Sequence, residues 1–213
     1  MTVFALLLGG NLTVTRRLRQ QLDGARIIAA DSGMMHATSL GIVPELWVGD
    51  FDSAGSELAI QYREVDRESF PAEKDATDGS IAVDAALRRG ATRIILAGGL
   101  GGQTDHTVGL LGQALRLALD GIDCLATSGE EEAYPLHPGV TVLDLPAESR
   151  LSLVPFSDLS GLGLDGVKWP LKNRDVPLGS TLTLSNVVRG PVRISLRGGA
   201  GIAFAYPPAE INV

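Results

Sequence analysis

Five nearly unbroken apolar runs in the first 127 residues constrain this chain more than any other feature. They are TVFALLL (2–8), ARIIAA (25–30), PELWVG (44–49), TRIILAGG (92–99) and IDCLAT (122–127). A strand that faces water on one side alternates apolar and polar residues, so unbroken runs belong to strands covered on both faces. Segments of helical length separate them: TVTRRLRQQLDG (13–24), MMHATSLG (34–41), SELAIQYRE (56–64), TDGSIAVDAALRRG (77–90) and TDHTVGLLGQALRLALDG (104–121). Gly24, Gly41 and Gly90 stand where helices stop. Strands alternating with helices predict a parallel sheet with helices on its faces.

From about residue 128 the rhythm changes. Short alternating runs follow, VTVLDL (140–145), RLSLVPF (150–156), STLTLSN (180–186), VRISLR (192–197) and GIAFAY (201–206), separated by turns rich in Gly and Pro. That is the pattern of an antiparallel sandwich or small barrel. The expected fold class is α/β: a mostly parallel N-terminal sheet flanked by helices over residues 1–128, then a smaller antiparallel β-sandwich over residues 129–213.

A formal net charge of −7 argues against a nucleic-acid surface, which carries a basic face. The one basic cluster, Arg16-Arg17-Leu18-Arg19, falls in a helical pattern. An acidic protein that binds a polyphosphate needs cations to bridge the charges, so a metal is expected. Cys124 is the only cysteine, which excludes an internal disulfide and a cysteine-based zinc site. The apolar run at 3–8 has no basic residue before it and is too short for a membrane span, so a cytoplasmic protein is expected.

The carboxylates fall where an α/β site should be. Asp31 follows the second run, Asp50 and Asp52 the third, and Asp105 the fourth, while Asp75 and Asp78 precede a helix. Ligands of open parallel sheets bind outside the carboxyl ends of the strands. Each acid also has a plainer role. Asp50 and Asp52 are either turn formers or, since residues i and i+2 of an extended chain point the same way, ligands of one hard cation. Thr77 and Asp78 suit a helix cap and its dipole, and Asp105 beside Thr104 does too. The glycines of LGGN (8–11) and GGLGG (98–102) could cradle phosphate or simply make tight turns; neither matches a dinucleotide or P-loop fingerprint. Acids for a hard metal, glycine loops and no redox or nucleophilic apparatus together suggest magnesium-nucleotide chemistry.

In order along the chain come ADSG (30–33), LGIVPELWVGDFDS (40–53), KDATD (74–78), GGLGGQTDH (98–106), GVKWPL (166–171) and PLGSTLTLSN (177–186). This ordered set resembles the thiamine pyrophosphokinase family from about residue 30 to the end. The resemblance implies a nucleotide domain followed by a β domain, transfer of a diphosphate from ATP to the thiamine hydroxyl with release of AMP, and a homodimer that shares its sites. It implies Mg²⁺ ligation by Asp50, Asp52 and Asp78, with Asp78 or Asp105 taking the hydroxyl proton. It further implies a substrate and phosphate site of Asp31, Lys74, Asp75, Thr77, Gln103 and Asp105, and thiamine contacts from Trp169, Ser185 and Asn186. Trp169 also suits a packed β-domain position, and Ser185-Asn186 a turn. Gln103 stands where the family usually has arginine, Leu110 where asparagine is frequent, Met34-Met35 in place of Ala-Asn, and Val187 where an acid is common. Two alternatives to the enzyme reading are a diphosphokinase for another heteroaromatic alcohol, such as a pterin, and a weakly catalytic thiamine sensor.

Overall fold

The computed structural model describes residues 1–51, 56–70 and 77–209. The chain divides into two compact units, Met1–Leu110 with Gly121–Gly129, and Leu111–Asp120 with Glu130–Val213.

The first unit runs β1 (Val3–Leu7), α1 (Arg16–Leu22), β2 (Arg26–Ala30), α2 (Met34–Leu40), β3 (Leu46–Gly49), α3 (Ser56–Gln61), β4 (Asp66–Ser69), α4 (Asp78–Arg88), β5 (Arg93–Ala97), the start of α5 (Thr104–Leu119) and β6 (Asp123–Thr127). The strands lie in the order β6-β5-β1-β2-β3-β4, and every pair is parallel. Five of the six are the apolar runs, and their interiors are buried, as strands covered on both faces must be. The sixth, β4, reads DRES and pairs with β3. It is charged because it closes the sheet, and charge on an edge discourages further pairing. No apolar period marks such a strand in the sequence.

Helix α4 packs on β1, β2 and β3 through Ile81, Ala82, Val83, Ala85 and Ala86. Met34, Ala37 and Leu40 of α2 join Leu7, Leu18, Ala29, Trp47 and Tyr62 in one apolar cluster. From β1 the chain steps outward through β2, β3 and β4, then crosses back to β5 and leaves on the other side through β6. The order therefore reverses between β1 and β5, the crevice where open α/β sheets bind ligands.

The second unit holds β7 (Glu132–Leu136), β8 (Gly139–Leu143), β9 (Arg150–Pro155), β10 (Leu159–Val167), β11 (Leu171–Val176), β12 (Asn186–Leu196) and β13 (Gly201–Tyr206). Its strands form two antiparallel runs, β7-β13-β9-β12 and β8-β12-β10-β11. Strand β12 serves both: Asn186 and Val187 pair with β9, and the residues from Val188 onward with β10. Just beyond that switch, at Gly190-Pro191, the register against β10 shifts between Asp165 and Val167. There Gly166 has φ 79, and a Cβ on it would overlap the Pro191 carbonyl oxygen, so only glycine lets the strands cross this closely. Leu151, Leu153, Leu162, Leu164, Val188, Val192, Ile194 and Ala203 form the core.

One expected strand is absent. Residues 181–185 turn rather than extend, and Leu182 and Leu184 are exposed while Thr183 between them is buried. The alternation in STLTLSN is real but inverted, because the inward residue is the threonine. Its Oγ1 donates to the Leu153 carbonyl at 2.6 Å, and Leu153 N–H donates to the Thr183 carbonyl at 2.9 Å. Among the described residues no helix is long and apolar enough to cross a membrane.

Candidate active site

At the carboxyl edge of the parallel sheet, backbone meets backbone. Gly10 N–H donates to the Gly98 carbonyl at 3.1 Å, and Leu8 N–H to the Ala97 carbonyl at 2.8 Å. A Cβ on Gly10 would overlap the Gly98 carbonyl oxygen, and one on Gly98, at φ 78, would overlap that of Leu8. The two glycine loops are thus fitted to each other at the switch point, 88 positions apart in sequence. His36, nearly buried on α2, places Nε2 2.9 Å from the Gly10 carbonyl and braces the first loop from behind. Gly101 and Gly102, at φ 79 and 82, lead into α5. Gln103, Asp105 and His106 are exposed there, at the positive end of a 16-residue helix.

The neighbouring strands deliver the acids. Asp31 follows β2 in a 3₁₀ turn, Asp31–Gly33, with φ 44. A Cβ on Gly33 would overlap the Leu7 carbonyl oxygen, so this turn closes against β1 only with glycine there. Asp50 follows β3 and is half-buried. Gly49 before it admits the approach of Asp31, whose Cα and Cβ would stand 3.2 and 3.3 Å from a Cβ at that position. Phe51, after it, takes φ 63, a conformation rare for a bulky side chain. Thr77 caps α4 by accepting the Ser80 N–H at 3.2 Å, which leaves half-buried Asp78 in the first turn. Gly79 stands against the Leu8 side chain, so this helix start belongs to the same edge. Asp52, Lys74 and Asp75 lie outside the described residues.

Fit to a metal can be judged from the donors. Among the described residues no three of His, Cys, Asp and Glu converge on one point. Asp31, Asp50 and Asp78 supply hard carboxylate oxygens from three segments, and Cys124 is buried, its thiol pushed up to about 12 chiefly by burial. Mg²⁺ typically takes one or two carboxylates and completes its shell with water and substrate phosphates. The donor set fits that ion.

The remaining expected residues lie in the second unit. Asn186 is buried and holds the backbone of Trp169 from both sides: its Oδ1 accepts the Trp169 N–H at 3.1 Å, and its Nδ2 donates to the Trp169 carbonyl at 2.8 Å. Val187 N–H also donates to Oδ1 at 2.9 Å. The indole that this clamp presents is 53% exposed, with Lys168 Nζ 4.5 Å from its ring centre, so Trp169 is no packed core residue. Ser185 has φ 60 and donates its N–H to Ser152 Oγ at 2.9 Å. Sequence reasoning did not find His36, Ser152 or the Trp47–Phe51 ring pair. Only the bulky residue inside GDFDS hinted at the last.

Two family models match the chain: the catalytic domain of thiamin pyrophosphokinase over residues 19–126 and its vitamin B1 binding domain over residues 141–200. The thiamine pyrophosphokinase of Bacillus subtilis is 31% identical over 166 residues, 75% of this chain and 76% of the relative. A crystal structure of the Bacillus subtilis enzyme superposes with a TM-score of 0.87 at 26% identity, covering 98% of this chain and 100% of that one. The Geobacillus thermodenitrificans thiamin pyrophosphokinase gives 0.81 at 27% identity and 99% of both chains. Sequence, domain order and fold agree, and the chain belongs to the thiamine pyrophosphokinase family of ATP-dependent diphosphotransferases.

Proposed function

We propose that this chain transfers a diphosphate from ATP to the hydroxyl of thiamine, giving thiamine diphosphate and AMP, with residues 1–128 as the nucleotide-binding catalytic domain and residues 129–213 as the thiamine-binding domain. The observation that carries the reading is the fitted pair of glycine loops at the β1/β5 switch point, flanked by acids on β2, β3 and α4. Amides of Gly9, Asn11 and Leu100–Gly102, with the start of α5, bind the phosphates, while those of Gly10, Gly98 and Gly99 hold the loops together. Asp50 and Asp78, together with Asp52, hold Mg²⁺. Mg²⁺ held there would supply positive charge to offset the charge that develops on the phosphates in the transition state. Asp31, Lys74, Asp75, Thr77, Gln103 and Asp105 orient the polyphosphate. The thiamine oxygen attacks the β-phosphorus in line, the bond from that phosphorus to the α–β bridging oxygen breaks, and AMP leaves with that oxygen. Asp78 or Asp105 accepts the hydroxyl proton, a modest demand because phosphoryl transfer depends more on positioning than on a base.

Trp169, Ser185 and Asn186 are the thiamine contacts, with the exposed indole as a stacking face for an aromatic cation. Exposed Phe156, Trp169, Leu178, Leu182 and Leu184 on the β unit support a homodimer in which such residues are covered and complete the partner's site. The working environment is the cytoplasm, where ATP and Mg²⁺ are at hand.

The test is a product assay with purified protein, thiamine and ATP, with and without Mg²⁺. Magnesium-dependent AMP and thiamine diphosphate in equal amounts are expected. ADP with thiamine monophosphate would overturn the mechanism. Thermal stabilisation by thiamine without AMP would favour a sensor, and turnover only with a pterin alcohol another acceptor.

A further inference from the structure

The two turns that carry Asp31 and Asp50 are joined through one buried side chain. Trp47, wholly buried on β3, donates its indole Nε1–H to the Asp31 carbonyl at 2.9 Å. The same ring meets Phe51 edge-on, with centroids 5.1 Å apart and planes at 89°. Arg67, exposed on β4, lies 4.9 Å from the Trp47 ring centre and 5.6 Å from that of Phe51, and its Nη2 donates to the Ala59 carbonyl at 3.0 Å. Asp31 and Phe51 both hold positive φ without being glycine, and such conformations persist only where the surroundings over-determine them. The indole supplies that determination on both sides at once. Its N–H fixes the Asp31 peptide, and its face and edge fix the residue that follows Asp50.

We infer that Trp47 is a positioning residue for the reaction: it sets the Asp31 and Asp50 turns against each other, and Arg67 clamps it from the edge strand. The inference rests on the proposed function, since the arrangement it sets is the one that receives magnesium-nucleotide. Trp47 touches neither substrate nor ion and acts through the two backbones. A purely structural tryptophan would affect melting alone; a positioning one changes affinity for Mg·ADP while leaving that for thiamine unchanged.

The experiment is calorimetric binding of Mg·ADP, and separately of thiamine, to wild type, Trp47→Phe and Arg67→Gln, with melting curves for each. Trp47→Phe keeps a ring against Phe51 and removes the donor, and Mg·ADP should bind about fivefold to tenfold more weakly. Arg67→Gln leaves the core intact, and a twofold to fivefold loss is expected on the order of an exposed cation–π contact. Thiamine affinity should be unmoved in both. Unchanged Mg·ADP affinity in Trp47→Phe, or in Arg67→Gln should Trp47→Phe not fold, overturns the inference and leaves the proposed function standing. Equal losses for thiamine and Mg·ADP overturn it too, as the mark of general loosening. Wild-type protein that binds no Mg·ADP overturns both.

Discussion

The two units solve the same problem, holding a few groups rigidly at a surface, by opposite means. In the α/β unit the backbone does it: glycines 10, 33 and 98 each lie where a Cβ would overlap a carbonyl oxygen, and Asp31 and Phe51 are held at positive φ. In the β unit a side chain does it, since Asn186 grips both polar atoms of the Trp169 peptide and leaves the indole out in solvent. Phosphate recognition wants amides packed closely and aimed together, which side chains would obstruct. Recognition of a flat aromatic cation wants a ring face, and a buried amide clamp can offer one without filling the space before it. The difference teaches that substitutions should hurt differently: through sterics in one unit, through lost hydrogen bonds in the other.

The largest expected effect bears on chemistry rather than folding. Asp50→Asn keeps the size and turn preference of the residue and removes its charge. If Asp50 is a magnesium ligand, kcat/KM should fall by about a hundredfold to a thousandfold, matching a loss of several kcal/mol of transition-state stabilisation. The melting temperature should hardly move. Wild-type turnover would remove Asp50 from the metal site and reduce the α/β edge to a scaffold. Next comes Gly98→Ala, in which a methyl meets the Leu8 carbonyl oxygen at a φ of 78. A cost of about 3 kcal/mol or more is expected, lowering the melting temperature by roughly 6–12 °C. Gly102→Ala is the matched control. Its φ is 82, but the nearest atom to the new carbon is Gly10 Cα at 3.6 Å, so only the conformational cost of about 1 kcal/mol remains. Equal losses in the two would mean that backbone fit between the loops contributes nothing.

The contrast also explains what the sequence revealed. The parallel sheet was legible because burial on both faces leaves unbroken runs such as Ile94 to Ala97. The acids were legible because they follow those runs. What holds them was not: the Gly10–Gly98 contact joins distant segments, and no local period encodes it. Trp47 reads as one more apolar residue until its N–H is seen on Asp31. In the β unit, LSGLGLDGV and LKNRDV did not suggest β10 and β11, because glycines and charges obscure the alternation. Leu182 and Leu184 misled in the other direction, promising a buried face where Thr183 is the inward residue.

Asn186 tests the β-unit side of the comparison. Asn186→Asp keeps an acceptor for the Trp169 and Val187 N–H groups but cannot donate to the Trp169 carbonyl. Asn186→Leu loses every bond of the clamp. Expected costs are about 1 kcal/mol for the first and about 2–3 kcal/mol for the second, with three part-buried partner groups left unsatisfied. In steady-state assays KM for thiamine should rise in that order while KM for ATP holds. A rise in both would show that the two units do not divide recognition as proposed.

The smallest effect separates the units by pH. Cys124 on β6 is buried, and burial first, then the charge of Asp123, push its thiol from 9.0 to about 12 against the opposing charge of Arg93. Tyr206 on β13 is also pushed above its ordinary 10.0, by burial and by Glu131, with Arg150 opposing. Below pH 9 the folded and unfolded chains both keep the thiol proton, and Cys124 contributes no pH dependence. Above it only the unfolded chain ionises, so stability falls with rising pH until about pH 12, by about 1.4 kcal/mol per pH unit once well past 9. The tyrosine makes itself felt only from about pH 10 upward, leaving an interval in which the α/β unit is weakened by its thiol and the β unit is not. Melting of wild type and Cys124→Ala between pH 8 and 10 isolates that contribution, because every other ionisation is common to both. The variant should lose stability more slowly with pH, by roughly 1 kcal/mol at the upper end. Identical slopes would mean that β6 opens to solvent before the rest of the sheet, and that the backbone rigidity of the α/β edge does not extend to that strand.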